Sequence, residues 1–201
     1  MADKKKMEAA LEKKALYGED IDLSKYDDND EARTKSTEDL TAGGKSKLAK
    51  VGIELDGEGR SATFIQVDNT PVQVEVDKET PLELMNTGDA AKKHPELVEK
   101  YWWKAVAPDT DKYTAKTATE REQGYFIRVR AGHKISAPLQ ACIFIGHEDQ
   151  LQRVHNVVII EEGAELNIIS SCASDPSVEN GVHIGISEFF VEKGAKLSFT
   201  M

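Results

Sequence analysis

The second half of the chain predicts a mainly β fold built as a parallel β-helix, a solenoid of short strands repeating every 31 residues. Three observations carry this reading. First, Gly132, Gly163 and Gly194 follow one another at intervals of 31. Second, the same shift superposes apolar positions on both sides of the glycine. Ile127 falls on Val158 and Phe189, and Val129 on Ile160 and Val191; beyond the glycine, Ile135 falls on Leu166 and Leu197, and Ala137 on Ile168 and Phe199. Alternate residues of a strand share a face, so each unit reads as strand, glycine turn, strand. Third, polar columns keep the same register: Lys134, Glu165 and Lys196 align with alternating charge beside Ser136, Asn167 and Ser198. Two antiparallel hairpins with accidental likeness are the competing reading, and the registered polar columns speak against it. The repeat is not visible before about Tyr125 and stops in mid-pattern at Met201. The chain therefore reads as incomplete, or as needing a partner over an open strand edge.

Three regions follow in order. Residues 1–50 are rich in charge, Ala, Gly and Ser and read as a flexible, partly helical arm. Within it "MEAALEKKAL" (7–16) places Met7, Ala10, Leu11 and Ala15 near one helical face, with Gly18 as a stop. Residues 51–124 read as a mixed α/β region. In "GIELDGEGRSATFIQVD" apolar residues flank Asp56-Gly57, which favours a tight hairpin turn. "PVQVEV" (71–76) alternates as a strand. Helices are expected in "TPLELMN", with Thr80 as N-cap and Pro81 in the first turn, and in "HPELVEKYWW", with Pro95 in the same role. "DTDKYTAKTATEREQ" (109–123) is a third candidate helix with weak apolar content. Residues 125–201 hold the repeat.

Composition narrows the function classes. The 201 residues carry a formal net charge of −10 and no long basic run, which argues against nucleic acid or an anionic membrane as main partner. No apolar run approaches the roughly 18–20 residues of a membrane span, and the charged N-terminus lacks a secretory apolar core. A cytoplasmic location is expected. Two cysteines do not make a disulfide framework.

Cys142 and Cys172 are 30 residues apart, one short of the period. Cys172 is therefore expected level with Ala141, and Cys142 level with Ala173, on opposite faces, which disfavours a disulfide or a shared chelate. Cys142 in "LQACIFI" reads as a small core residue. Cys172, at the end of its apolar run before "SDP", is the candidate for sulfur or metal chemistry, with core packing as the alternative. His155 and His183 are candidate ligands or proton carriers; otherwise each is a polar neighbour in a turn. Glu188 aligns with Val157 in an outward column and reads as solvated more readily than catalytic. His94 before Pro95 reads as helix-opening, and His133 after the turn glycine as exposed. No nucleophile triad, phosphate-binding glycine loop or zinc signature is present. A polysaccharide-active enzyme of β-helix type needs clustered carboxylates or an Arg or Lys base. Glu161 and Glu192 share a column headed by Arg130, with nothing further around them. The other alternative is a purely structural or interaction module that needs neither cysteine.

Four stretches, "HPELVEKY", "GYFIRVRAGHKISAPLQACIFI", "QRVHNVVIIEEGAELNIISSCASDP" and "VHIGISEFFVEKGAKLSF", together resemble the SufB/SufD components of the SUF iron–sulfur cluster assembly system. The resemblance covers about half the chain densely, from His94 onward. It implies a mixed N-terminal region, a right-handed parallel β-helix and C-terminal helices, the last absent here. It implies a scaffold that is not itself an enzyme and that works with a SufC-type ABC ATPase and a second SufB/SufD-type subunit. Sulfur would arrive as persulfide, from a cysteine desulfurase or another sulfur donor, and an iron–sulfur cluster would be held transiently; thiolates suit iron of that kind. Cys172 in "SSCASDP" matches the family's cysteine segment, with Ser171 in place of glycine and the proline shifted by one. His183 and Glu188 match the segment that follows, although residues 184–187 depart from it.

Overall fold

The computed structural model describes residues 4–29, 32–120 and 122–201. Residues 1–3 and 30–31 of the expected arm, and Arg121 in the third expected helix, lie outside them. Among the described residues nine strands form two mixed sheets, accompanied by five α-helices. The strands are β1 (Ala62–Val67), β2 (Thr70–Val76), β3 (Leu82–Asn86), β4 (Tyr125–Val129), β5 (Leu139–Ile145), β6 (Gln150–Ile160), β7 (Glu165–Ser174), β8 (Gly181–Val191) and β9 (Lys196–Thr200). The first sheet runs β2-β1-β5-β7-β9 and the second β3-β4-β6-β8. Each opens with an antiparallel pair, β2 on β1 and β3 on β4, and continues with parallel strands.

This corrects the fold class expected from the sequence. The chain is an α/β fold with two mixed sheets, not a mainly β right-handed parallel β-helix. The 31-residue period describes residues 125–201 alone and carries no information on the antiparallel strands or on the helices that cover both sheets. Those helices are α1 (Lys4–Ala10), α2 (Ala42–Lys50), α3 (Thr87–Lys93), α4 (Pro95–Tyr101) and α5 (Lys112–Thr119).

The register read from the period does appear in the parallel strands. Val129 pairs with Ile160 and Ile160 with Val191; Glu165 pairs with Lys196. Gly132, Gly163 and Gly194 all have φ near +70°, the left-handed turn conformation that glycine adopts without a Cβ clash. Lys134 and Lys196 flank Glu165 at 2.7 and 3.4 Å, the expected charge ladder. Its members are exposed, so solvent screens each pair and the ladder adds little to stability. One column fails. Leu139, not Ala137, pairs with Ile168, so Cys172 lies level with Ile143 and Cys142 with Ser171. The chain takes two extra residues between the Lys134–Glu165 bridge and β5, around Pro138, whose carbonyl accepts from the Ser61 N–H. A slip of two preserves strand parity, so the cysteines still face opposite sides.

The main core lies between the sheets, where Phe64, Leu139, Ala141, Ile143, Leu166 and Ile168 of the first meet Ile127, Val158 and Ile160 of the second. Two further clusters cover the outer faces. Leu48 and Ile53 cover Ile65, Cys142 and Phe144 of the first sheet; Leu97, Tyr101 and Trp102 cover Phe126, Val157 and Ile159 of the second. Burial on both faces explains why β1, β5 and β6 are buried throughout.

Several local expectations change. The hairpin joins β1 to β2 through Asp68, at φ 52°, and Asn69, rather than turning at Asp56-Gly57. "LELMN" is strand β3, because Leu82 and Leu84 alternate onto the core beside Val129 and Ile127. The first helix ends at Ala10, and the Ala15 and Leu16 N–H groups bond Asp20 and Asp111 instead of continuing it. The expected arm lies along β6 and α5. Asp27 bridges Gln150, and the Ile21 N–H donates to the Tyr113 hydroxyl.

Candidate functional site

Two clusters surround the candidate residues, and β8 contributes to both. The first lies between the sheets. Cys172 on β7 and His183 on β8 belong to different sheets, yet Sγ and Nε2 are 3.8 Å apart. His183 pairs in register with Gln152 of β6, and Nδ1 lies 3.0 Å from the Gln152 Oε1. Gln152 has no exposed surface. Its Nε2 donates to the carbonyls of Asp68, at 2.7 Å, and Phe144, at 3.0 Å, both on the first sheet's side. The amide thus ties the sheets together and fixes its own orientation, since a flipped amide would set oxygen against two carbonyl oxygens. Gly185 makes room for the imidazole: a Cβ there would come within 2.7 Å of His183 Nε2.

Cys172 is exposed as a residue, whereas Cys142 is fully buried beneath α2. Burial pushes both thiols up, Cys142 much the further, because the thiolate loses its hydration. Burial likewise pushes His183 down. The Cys172–His183 pair is therefore neutral near neutral pH, a thiol beside an imidazole.

The second cluster lies on the outer face of the second sheet. Glu188 and His155 have 1% and 0% exposure, and Oε2 lies 2.8 Å from Nε2. Glu188 was expected in an outward column and solvated. It does point outward, but residues 102–106 cover it. Oε1 accepts from the Ala105 and Val106 N–H groups at 2.6 and 3.0 Å, and Oε2 from Trp103 N–H at 2.7 Å. Burial alone raises this carboxyl; the His155 and backbone N–H bonds outweigh that and hold it below the usual range. The Trp103 indole stacks on His155 at 4.1 Å between ring centres, from a left-handed backbone at φ 55°. The His155 Nδ1 is buried without a hydrogen-bond partner.

The structure thus joins Cys172 to His183, and His155 to Glu188, as two separate pairs. Among the described residues no three His, Cys, Asp or Glu side chains converge as a metal-holding group. His94 caps α4 by its backbone position and His133 is exposed. Gln152 and Trp103 were missed as site residues. Gln152 was within reach, because it precedes His183 by one period; Trp103 carried no such signal.

No family model matches the chain. A Methanothermobacter thermautotrophicus protein named as an iron–sulfur cluster assembly SufBD family protein is 43% identical over 204 aligned positions, covering 98% of this chain and 49% of the relative. An Archaeoglobus fulgidus protein of the same name is 47% identical, covering 78% of this chain and 42% of the relative. The chain belongs to the SufBD family. Bacillus subtilis SufB, named as an iron–sulfur cluster assembly protein, is 28% identical over 57% of the chain. This SufBD chain spans about half the length of the curated relatives it matches. Among its described residues no helix is long and apolar enough to cross a membrane.

Proposed function

We propose that this SufBD chain acts in iron–sulfur cluster assembly as part of a cytoplasmic scaffold, with Cys172 as its sulfur acceptor. The observation that carries the reading is the contrast between the cysteines. Cys172 reaches solvent beside an imidazole, while Cys142 is sealed in an apolar cluster. Sulfur transfer between thiols requires an accessible attacking sulfur and a route for its proton. Cys172 has both.

The scaffold is not an enzyme on its own. Its partners are a SufC-type ABC ATPase and a second SufB/SufD-type subunit, with a cysteine desulfurase as persulfide source and the nascent iron–sulfur cluster as cargo. The names of the relatives support the assembly role. The test loads the protein with persulfide from a cysteine desulfurase and maps the sulfur by mass spectrometry. Sulfur on Cys172, lost in Cys172→Ser and kept in Cys142→Ser, is expected. Sulfur on neither cysteine, with the SufC-type ATPase still retained on the immobilised chain, would favour a pure interaction module.

A further inference from the structure

We infer that Gln152 is a positioning residue that holds His183 in the tautomer able to take the proton of Cys172 during sulfur uptake. The inference rests on the acceptor reading of Cys172 and adds two residues to it. Three observations carry it. The Gln152 amide cannot flip, because its Nε2 already serves the Asp68 and Phe144 carbonyls. Its Oε1 therefore faces the His183 Nδ1 at 3.0 Å. An amide oxygen only accepts, so Nδ1 carries the hydrogen and Nε2 keeps its lone pair. That lone pair is the one facing the Cys172 Sγ at 3.8 Å.

The transfer that follows is balanced. The donor is a persulfide, a thiol bearing one outer sulfur. As Sγ attacks that outer sulfur, the Cys172 proton passes to His183 Nε2. A new Sγ–S bond forms, the donor's S–S bond breaks, and its electron pair leaves on the donor sulfur. The proton on Nε2 then passes to that leaving thiolate. Cys172 ends as a persulfide and the donor as a thiol, with no net oxidation or reduction. The Nδ1–H bond to Gln152 persists throughout, so the amide holds the ring in place while it is charged. A base is needed because the thiol rests protonated in its desolvated setting.

The test uses the full chain with glutathione persulfide as donor and follows persulfide formation at Cys172 by mass spectrometry. His183→Gln is expected to slow uptake about 100-fold, and Gln152→Met at least about tenfold, as loss or mispositioning of a general base does. Gly185→Ala keeps all three polar side chains but drives a Cβ into the imidazole edge and displaces the ring. It too is expected to slow uptake about tenfold. Nitrogen-15 NMR of the unmodified ring supplies a readout that a merely structural role would not move. Wild type should show a protonated Nδ1 and a bare Nε2, and Gln152→Met should lose that preference. Folding of each variant is checked by its thermal melt. If Gln152→Met does not fold, Gly185→Ala and the wild-type tautomer decide. A wild-type His183 protonated at Nε2, or folded variants that take up sulfur at the wild-type rate, would overturn the inference while leaving Cys172 as acceptor. Wild type that takes up no sulfur at Cys172 would overturn the acceptor reading and the inference with it.

Discussion

Replacing Glu188 by glutamine tests the outer cluster with the smallest change of shape. The carboxylate has four partners, two on each oxygen. In the amide one oxygen becomes an NH2 donor. If it takes the Oε1 place, it faces the Ala105 and Val106 N–H groups; if it takes the Oε2 place, it faces Trp103 N–H and His155 Nε2. Either way at least one backbone N–H loses its charged acceptor, a bond contributing about 1.5–3 kcal/mol, and is left buried and unpaired, while the remaining bonds fall from a charged to a neutral acceptor. Release from desolvating a charge offsets part of this, so the expected loss is about 3–5 kcal/mol. That is a large share of the roughly 5–15 kcal/mol of a typical domain. The variant also has a pH signature. The folded carboxyl sits below its unfolded value of about 4.3. Its contribution is therefore complete above about pH 5 and is lost as the pH falls through the unfolded and then the folded value. Urea unfolding followed by tryptophan fluorescence, at about pH 7 and about pH 4, reads both effects. Trp103, stacked on His155, reports the cluster directly. Glu188→Gln should be less stable near pH 7 and should lose less than wild type on acidification. A variant within about 0.5 kcal/mol of wild type, the range of ordinary surface changes, with an unchanged acid slope, would refute the charged, bond-filled carboxylate.

Native thiol labelling with a disulfide reagent should modify Cys172 quickly and Cys142 only on unfolding. Cys172→Ser should abolish the fast phase, and a fast phase surviving in that variant would contradict the burial of Cys142. Gly163→Ala should cost about 1–2 kcal/mol, because its φ of 70° is left-handed and its surroundings leave space; Gly163→Asn should cost less, and equal melts for all three proteins would place that turn elsewhere. Hydrogen exchange should be slow at the Asp27 and Leu151 amides, which bond Asp149 and Asp27 carbonyls at 2.7 and 2.8 Å; rapid exchange at both would detach the arm from β6. Asp28→Ala should destabilise by about 2 kcal/mol, since Asp28 accepts from the buried Arg153 at 2.6 Å, and an unchanged urea midpoint would show that bond to be dispensable.

What the sequence made legible was the part held together by a repeated contact. Val129, Ile160 and Val191 share a column because parallel neighbours of equal unit length must bring like residues level, and the sequence carries that length openly. The Ala137 column fails for the same reason. Two extra residues around Pro138 change the local unit length, and no glycine marks them. Strand β3 was illegible in a different way. Thr80 and Pro81 are good helix openers, but only four residues follow before the Asn86 cap of α3, too few for a helix to outweigh pairing with β4. Glu188 was placed on the correct face and given the wrong environment. Strand parity tells which way a side chain points; it does not tell that residues 102–106, eighty residues earlier, lie over it.

Parity also explains how one strand serves both clusters. On β8 His183 and Gly185 turn toward the first sheet, while Val182, Ile184 and Glu188 turn outward. The inner set meets Cys172 beside Gln152, which is level with His183 and spans the gap between the sheets with its amide. A shift of β8 by one residue would exchange the faces, turning His183 out into the cluster of Leu151, Ile21 and Tyr113 and Glu188 toward the core. A shift by two would keep the faces but set Gly181 or Gly185 beside Gln152, leaving the Cys172 sulfur with no imidazole. The eleven-residue register between β6 and β8, every pair one period apart, thus sets both the buried carboxylate and the imidazole beside Cys172. Loss of stability at Glu188 should loosen that strand and carry His183 away from Cys172, although the two clusters share no side chain.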